Sequence, residues 1–436
     1  MSDRDRADVP ASSLTRRTFL GASATFAASA LAGCNDPPPE HIVPYVERPR
    51  GVTPGRARWF ATSALRNGVA VGIVGKTREG RPIKIEGNPR HPFSLGATGA
   101  VEQALPMTLY DADRLGAIAH RGTPATFEDF ARAFGPSSGR AFVRGAGEGL
   151  HLWLPPTSSP LTAELLDRLR ERYPRARIWY DPSLAPLSTW RATELVFGRP
   201  LAPHYHFERA DRVLALDAEI GGAHPAALRW AAEWARRRRP EGSMSRCYAV
   251  CATPTGTSAA FDHRLAVRSS EIGALAAALL AALDVPGAPR ALATFLERSP
   301  HRAWAEAVAR DLAAHRGAAL VIAGDRQPAP VHVIAALANA ALGSVGRTVT
   351  YAEPPWLEAG RPAFEPAPLA DALDAGEVDA LLCLGGNPAY TASGTLRFAE
   401  RAVRARELVA LAEYPTETAA LSSWVVPELH VLERWG

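Results

Sequence analysis

The chain has 436 residues, 47% hydrophobic and 22% charged, with a formal net charge of +4. Those values fit a globular protein of two or three domains and exclude a disordered or collagen-like chain. Nearly all the positive charge is arginine, since Lys76 and Lys84 are the only lysines.

The segment LTRRTFLGASATFAASALAGC (14–34) sets Arg16 and Arg17 before a run of small and apolar residues. A charged start, a short apolar run and a small-residue cleavage zone make a secretory signal. The run is shorter than the ~20 residues of a membrane span. Its weak hydrophobicity suits twin-arginine export. Leu31-Ala32-Gly33-Cys34 resembles a bacterial lipobox, with Cys34 as the lipidated first residue of the mature protein. The plainer alternatives are a chance Arg-Arg pair and an ordinary small residue beside a cleavage site. Residues 35–58 are polar and proline-rich and read as a tether.

Between 59 and 115 the chain alternates apolar and polar residues around glycines. This predicts a small β domain with a hairpin turn near Arg78-Glu79-Gly80, then a loop and a short helix. Beyond residue 140 strands and helices alternate. AFVRG, HLWLPP, ARIWYDP, Val213–Leu216, SRCYAVC, AALVIAGD, RTVTYA, VDALLCLGGNP, ELVALAEY and SWVVP are the predicted strands. Such alternation argues for parallel, doubly wound sheets. The expected fold class is α/β: the small β domain, a first Rossmann-like lobe over 116–298 and a second over 299–436.

Besides Cys34 there are only Cys247, Cys251 and Cys383, too few and too scattered for a [4Fe–4S] cluster. Cys247 and Cys251 on one strand would lie about 13 Å apart at ~3.3 Å per residue, beyond the ~7 Å reach of a disulfide. Three buried, free thiols are expected. His204 and His206 on an extended segment could begin a metal site, but two ligands are not three. Asp262-His263-Arg264 reads as a loop ion-pair network rather than a catalytic triplet. Arg236 to Arg239 read as a solvated helix end, so no nucleic-acid partner is expected. Gly385-Gly386-Asn387 follow a buried strand, where glycine lets the backbone approach a phosphate or simply makes a tight turn.

Several segments together resemble one family. GRPIKIEGNPRHPFSLGATGAVEQALPMTLYDADR, GDRQPAPVHVIAALANAALGSVGRTV, CLGGNPAYTA and EYPTETAALSSWVVPELHVLERWG resemble the molybdopterin oxidoreductases. IVPYVERP, SLGAT, MSRCYAVCATPTGTSAAFDHRLAVRSSEI and HVLERWG look most like the B subunit of alternative complex III, a quinol-oxidising complex. The resemblance implies a molybdopterin-enzyme fold that holds no molybdopterin. It implies iron–sulfur clusters in a C-terminal part or a partner. The further partners it implies are an integral membrane quinol-binding subunit and multihaem cytochrome c subunits. The location it implies is the periplasmic face of the bacterial inner membrane, with a lipid anchor. After Ser94-Leu95-Gly96 the larger family places a Cys and then a Lys, where this chain reads Ala97-Thr98-Gly99-Ala100. Gly385, Gly386 and Asn387 match its pterin-nucleotide loop and stand as vestigial positions, with no catalytic residue expected.

The expected function is a cofactor-free scaffold subunit. The rivals are a working molybdopterin oxidoreductase and a lipoprotein binding a nucleotide-like ligand at Gly385–Asn387. An apolar end built from Trp424, Val425, Val426, Leu429, Leu432 and Trp435 is expected to lie bare, as in a truncated chain or half of a split subunit.

Overall fold

The computed structural model describes Glu47 and residues 50–135, 138–140, 145–285 and 289–434. Arg16, Arg17, Cys34, the expected strand AFVRG and Trp435 lie outside the described residues, apart from Gly145 at that strand's end.

Residues 57–436 form one compact unit. It begins with an antiparallel sheet of β1 (Arg58–Arg66), β2 (Val69–Arg78) and β3 (Arg81–Gly87). Both connections are two-residue turns with positive φ at each position, Asn67-Gly68 and Glu79-Gly80. That geometry matches the right-handed twist of paired strands. Beside this sheet, Glu102 on the helix Ala100–Leu109 is fully buried. It takes hydrogen bonds from Arg66 Nε at 3.0 Å and Nη2 at 2.8 Å, and from Gly99 N at 2.7 Å. Arg66 Nη1 also donates to Gly222 O at 3.0 Å, fastening the sheet to a distant loop.

Thirteen further strands follow. They are β4 (Ile118–His120), β5 (Thr123–Ala125), β6 (Leu150–Leu154), β7 (Arg177–Tyr180), β8 (Ala202–Tyr205), β9 (Arg212–Leu216), β10 (Arg246–Cys251), β11 (His263–Ala266), β12 (Ala319–Ala323), β13 (Val349–Ala352), β14 (Ala380–Leu384), β15 (Glu407–Ala412) and β16 (Trp424–Pro427). One sheet has the order β5-β4-β16-β15-β14-β6-β7 and the other β11-β10-β9-β12. The fold is α/β, as expected.

The sheets divide differently from the expected boundary at 298/299. The seven-stranded sheet takes β4 to β7 from the early chain and β14 to β16 from the late chain, so the four-stranded lobe is an insertion between β7 and β14. The chain approaches that lobe through β8 and leaves through β13, and these two strands pair antiparallel as a ribbon of their own. RTVTYA is therefore a strand, but not a member of a parallel sheet. The physical reason is that hydrophobic alternation identifies a strand without naming its neighbours.

Each lobe covers its sheet with apolar helices. The helix Ile272–Ala282 is apolar on every side and lies buried, with Ile272, Leu275, Leu279 and Leu280 packed against β9, β10 and β12. Burial of each of these four side chains stabilises the lobe by about 2 kcal/mol.

The last described segment is not the bare apolar face expected. Trp424 is buried, stacked on His120 at 4.2 Å and edge-on to Phe130 at 5.4 Å. Leu432 packs on the cluster of Ala64, Ile73 and Ile85. Leu429 is exposed. The hairpin β4–β5 and the helix Phe127–Phe134, not anticipated from the sequence, supply the cover for Trp424.

Candidate functional site

In a doubly wound sheet, ligands settle outside the carboxyl ends of the strands, where the strand order reverses. Each large sheet has one such point. In the seven-stranded sheet it lies between β6 and β14, and in the four-stranded sheet between β9 and β12.

Gly385 and Gly386 sit at the first point with φ of +83° and +74°, directly after β14. A side chain on Gly385 would begin 3.3 Å from Glu428 Oε2 and 3.7 Å from Pro155, which follows β6. Asn387 is tied to the next loop by its side-chain amide. Its Nδ2 donates to Glu417 Oε2 at 2.5 Å, and its Oδ1 accepts from Thr418 N at 3.0 Å and Thr418 Oγ1 at 2.8 Å. Across the same crevice Thr391 Oγ1 donates to Asp181 Oδ2 at 2.6 Å. These loops hold one another shut. Gly385→Val should lower the yield of folded protein and its Tm, because a β-branched residue at positive φ costs about 1–3 kcal/mol. Unchanged yield and Tm in that variant would refute the structural role of the loop.

At the second point a cavity of about 440 Å³ opens between the ends of β9 and β12. Trp190 on the helix Leu187–Phe197, Tyr205 on β8, Trp230 and Trp356 form its aromatic walls. Asp217, Glu219 and Asp325 supply carboxylates, and Arg326 is the one lysine or arginine of the lining. Gly324 donates from its N to Leu216 O at 2.9 Å, drawing the two strand ends together. His224 stacks on Trp230 with centroids 4.1 Å apart, and its Nδ1 accepts from Ala226 N at 3.1 Å. Burial pushes its pKa down to about 3, so it stays neutral. Sequence reading missed this site, because Asp217 and Gly324 meet only once strand order is known.

The other residues singled out serve structure. His206 Nε2 lies 3.1 Å from Thr350 Oγ1, across the ribbon, and His206 Nδ1 is 3.8 Å from Glu208. Among the described residues no group of three His, Cys, Asp or Glu is placed to hold a metal ion. Asp262 accepts from Arg238 at 2.8 and 3.0 Å and from Cys247 N at 2.8 Å. His263 opens the edge strand β11 and stacks on Tyr248, so the triplet is not wholly loop. Within the basic run Arg237 pairs with Asp211 and Arg238 with Asp262, which leaves those two tied down. Cys247, Cys251 and Cys383 are buried and free, and burial pushes the Cys247 thiol up to about 11. The passage GNPRHPFSLGA makes a closed turn: Asn88 O accepts from His91 N, Gly96 N and Ser94 Oγ.

Together the two lobes and the small antiparallel sheet define a molybdopterin-oxidoreductase-like α/β fold. No protein-family model matches the chain. Among solved structures, the acetylene hydratase of Pelobacter acetylenicus superposes with a TM-score of 0.56 at 12% identity. That likeness covers 86% of this chain and 63% of the hydratase chain. The formyltransferase/hydrolase complex of Methylorubrum extorquens, determined with methylofuran, gives 0.42 at 15% identity over 71% of this chain and 86% of that one.

The side chains at the two switch points offer the phosphates of a molybdopterin dinucleotide few free donors. Its pyrophosphates call for free backbone and side-chain donors. At the first crevice Asn387 Oδ1 and one of its amide N–H groups are taken by Thr418 and Glu417, and the Glu428 carboxylate lies beside Gly385. At the second, three carboxylates face one arginine.

Proposed function

We propose that the chain is a scaffold and docking subunit of a membrane-bound, periplasm-facing quinol-oxidising complex. In this reading an iron–sulfur domain, an integral membrane quinol-binding subunit and multihaem cytochrome c subunits carry the redox chemistry. The observation that supports it most is the engagement of Asn387 with Glu417 and Thr418, which closes the loop that matches the family's nucleotide site. The sequence segments resembling the alternative complex III subunit point the same way. Among the described residues no helix is long and apolar enough to cross a membrane, so attachment would rest on Cys34 and on partners.

The test is to solubilise membranes from the native host, capture the chain by a tag, and analyse metals and co-purifying proteins. Haem and iron should arrive with the partners, and the complex should oxidise quinol. Stoichiometric molybdenum or tungsten would overturn the scaffold reading. Intact-protein mass spectrometry should find Cys34 as an acylated N-terminus, and Cys34→Ala should weaken membrane retention. Two acyl chains anchor a protein stably where one does so only marginally. An unmodified mature protein beginning elsewhere would refute the lipid anchor.

A further inference from the structure

The antiparallel sheet of β1, β2 and β3 buries one end and leaves the other bare. Ala64, Ile73 and Ile85 pack with Leu105 and Leu432, whereas Trp59 and Phe60, at the start of β1, are 51% and 47% exposed. Successive residues of a strand face opposite sides, so the bare end carries an aromatic ring on each face. Ile83 on β3 is exposed too, and so is Tyr110, whose hydroxyl donates to Pro82 O at 3.2 Å.

The strand register sets cations at the same end. Between β2 and β3, Lys76 stands directly opposite Lys84 and Arg78 opposite Arg81. On β1, Trp59 stands opposite Lys76 and Arg58 opposite Thr77. Like charges directly opposite one another destabilise a sheet, and here there are two such rungs. Glu79 in the turn and Glu86 are the carboxylates within this sheet, and Glu86 lies 3.5 Å from Lys84. Arg58 and Lys76 lie instead over the rings of Phe60 and Trp59, 5.0 and 5.8 Å from the centroids. Lysine on an exposed edge strand deters pairing with other chains. Lys76 is on the central strand, where there is no edge to guard.

Rings and cations side by side match the chemistry of a lipid headgroup layer. Tryptophan and tyrosine settle where acyl chains meet headgroups, while lysine and arginine extend their charge to the phosphates. An anionic surface would also relieve the two like-charge rungs. The placing of Trp59 and Phe60 decides between partners. A folded acidic protein presents a surface to one face of a sheet, whereas a fluid headgroup layer surrounds both faces of an end that enters it.

We propose that the outer end of this sheet, Trp59 and Phe60 with the rungs Lys76–Lys84 and Arg78–Arg81, dips into the headgroup layer of a bilayer containing anionic phospholipid. The contact adds to the lipid anchor and partners of the membrane-bound reading, on which it rests for its setting.

The test uses the full chain carrying Cys34→Ala, so that no acyl chain contributes, sedimented with vesicles. One set is made from equal parts of phosphatidylglycerol and phosphatidylcholine, the other from phosphatidylcholine alone. Saturable binding to the anionic vesicles is expected, weakening as salt is raised. Lys76→Gln combined with Lys84→Gln should weaken it by about tenfold or more, since each cation near an anionic surface contributes roughly fivefold. Trp59→Ala should weaken it as well. Should the lysine pair not fold when replaced, Arg78→Gln with Arg81→Gln, both on exposed residues, is expected to act in the same direction. Residues 1–33 are common to all these chains, so differences among them report the sheet. The proposal is overturned if both kinds of vesicle bind equally, or if binding is unchanged in both double variants. Loss of a co-purifying protein from these variants with vesicle binding intact would also overturn it, in favour of an acidic protein partner. Each of those failures leaves the quinol-oxidising reading to its own test of metals and partners.

Discussion

Gly324→Ala should destabilise the folded protein markedly. A Cβ at that position would lie 1.9 Å from Asp217 O and 2.6 Å from Asp217 C, both backbone atoms at the end of the neighbouring strand. No rotamer change relieves such a clash. Strand ends held by the bond from Gly324 N to Leu216 O must part instead. Overpacking of a rigid backbone contact costs about 3 kcal/mol or more. In a unit of this size that corresponds to a fall in Tm of roughly 5 °C or more. Gly256→Ala is the control, since nothing lies within 4 Å of its added carbon and its φ is ordinary. It should change stability by no more than about 0.5 kcal/mol. Calorimetry or urea titration of the two variants checks the contrast, and equal behaviour would refute it.

Acid should begin to destabilise this protein above the usual carboxylate range. His151 is 4% exposed and His332 7% exposed, and burial pushes both down to about 4 from 6.5. His151 Nδ1 accepts from Trp179 Nε1 at 3.2 Å. His332 lies 3.1 Å by Nε2 from Gln327 O and 3.3 Å by Nδ1 from Thr189 Oγ1. The carbonyl fixes the tautomer: Nε2–H donates to Gln327 O, and Nδ1 accepts from Thr189. Between those pKa values the unfolded chain binds protons that the folded one refuses. The stability is therefore fully present above about pH 6.5 and is lost as pH falls toward 4. Each histidine contributes at most about 3 kcal/mol to that loss.

Glu233 opposes them. Burial and the neighbouring Glu208 push it up to about 7 from 4.5, so its contribution is full below pH 4.5 and fades as pH rises through 7. Burial also lowers His224 to about 3 and raises Glu413 and Asp325, and with three histidines shifted this far the net effect is loss on acidification. The urea midpoint should drop between pH 7 and pH 4.5, and His332→Gln should reduce that slope by about one proton. A midpoint that stays level across this range would refute the prediction.

Most strands were legible because β-branched and apolar runs such as Val213–Leu216 and AALVIAGD end at turn residues. What the sequence could not disclose was adjacency. Nothing in HLWLPP says that β6 pairs with β14, more than two hundred residues later in the chain. The hairpin turn at Glu79-Gly80 was legible, whereas that at Asn67-Gly68 was passed over and its tertiary role was hidden. A Cβ on Gly68 would meet Pro156 O at 1.9 Å. The glycine loop after β14 was visible as a motif, while the capture of Asn387 by Glu417 and Thr418 needed three dimensions. The aromatic cavity was invisible for the same reason, since its walls come from residues 186 to 356.

The interrupted seven-stranded sheet also sets an order of events on the ribosome. Its strand β4 waits for β16, the two pairing His120 with Trp424, so the sheet closes only after Trp424 has emerged. The inserted lobe, by contrast, is complete once β13 has met β8, with the late strands still unsynthesised. Long-range pairing of this kind is slow and leaves strand edges open meanwhile. The nascent protein would therefore present a finished inner lobe flanked by the unpaired edges of β4 and β6. It is in that interval that a chaperone, or a tightly timed partner, would have most to hold.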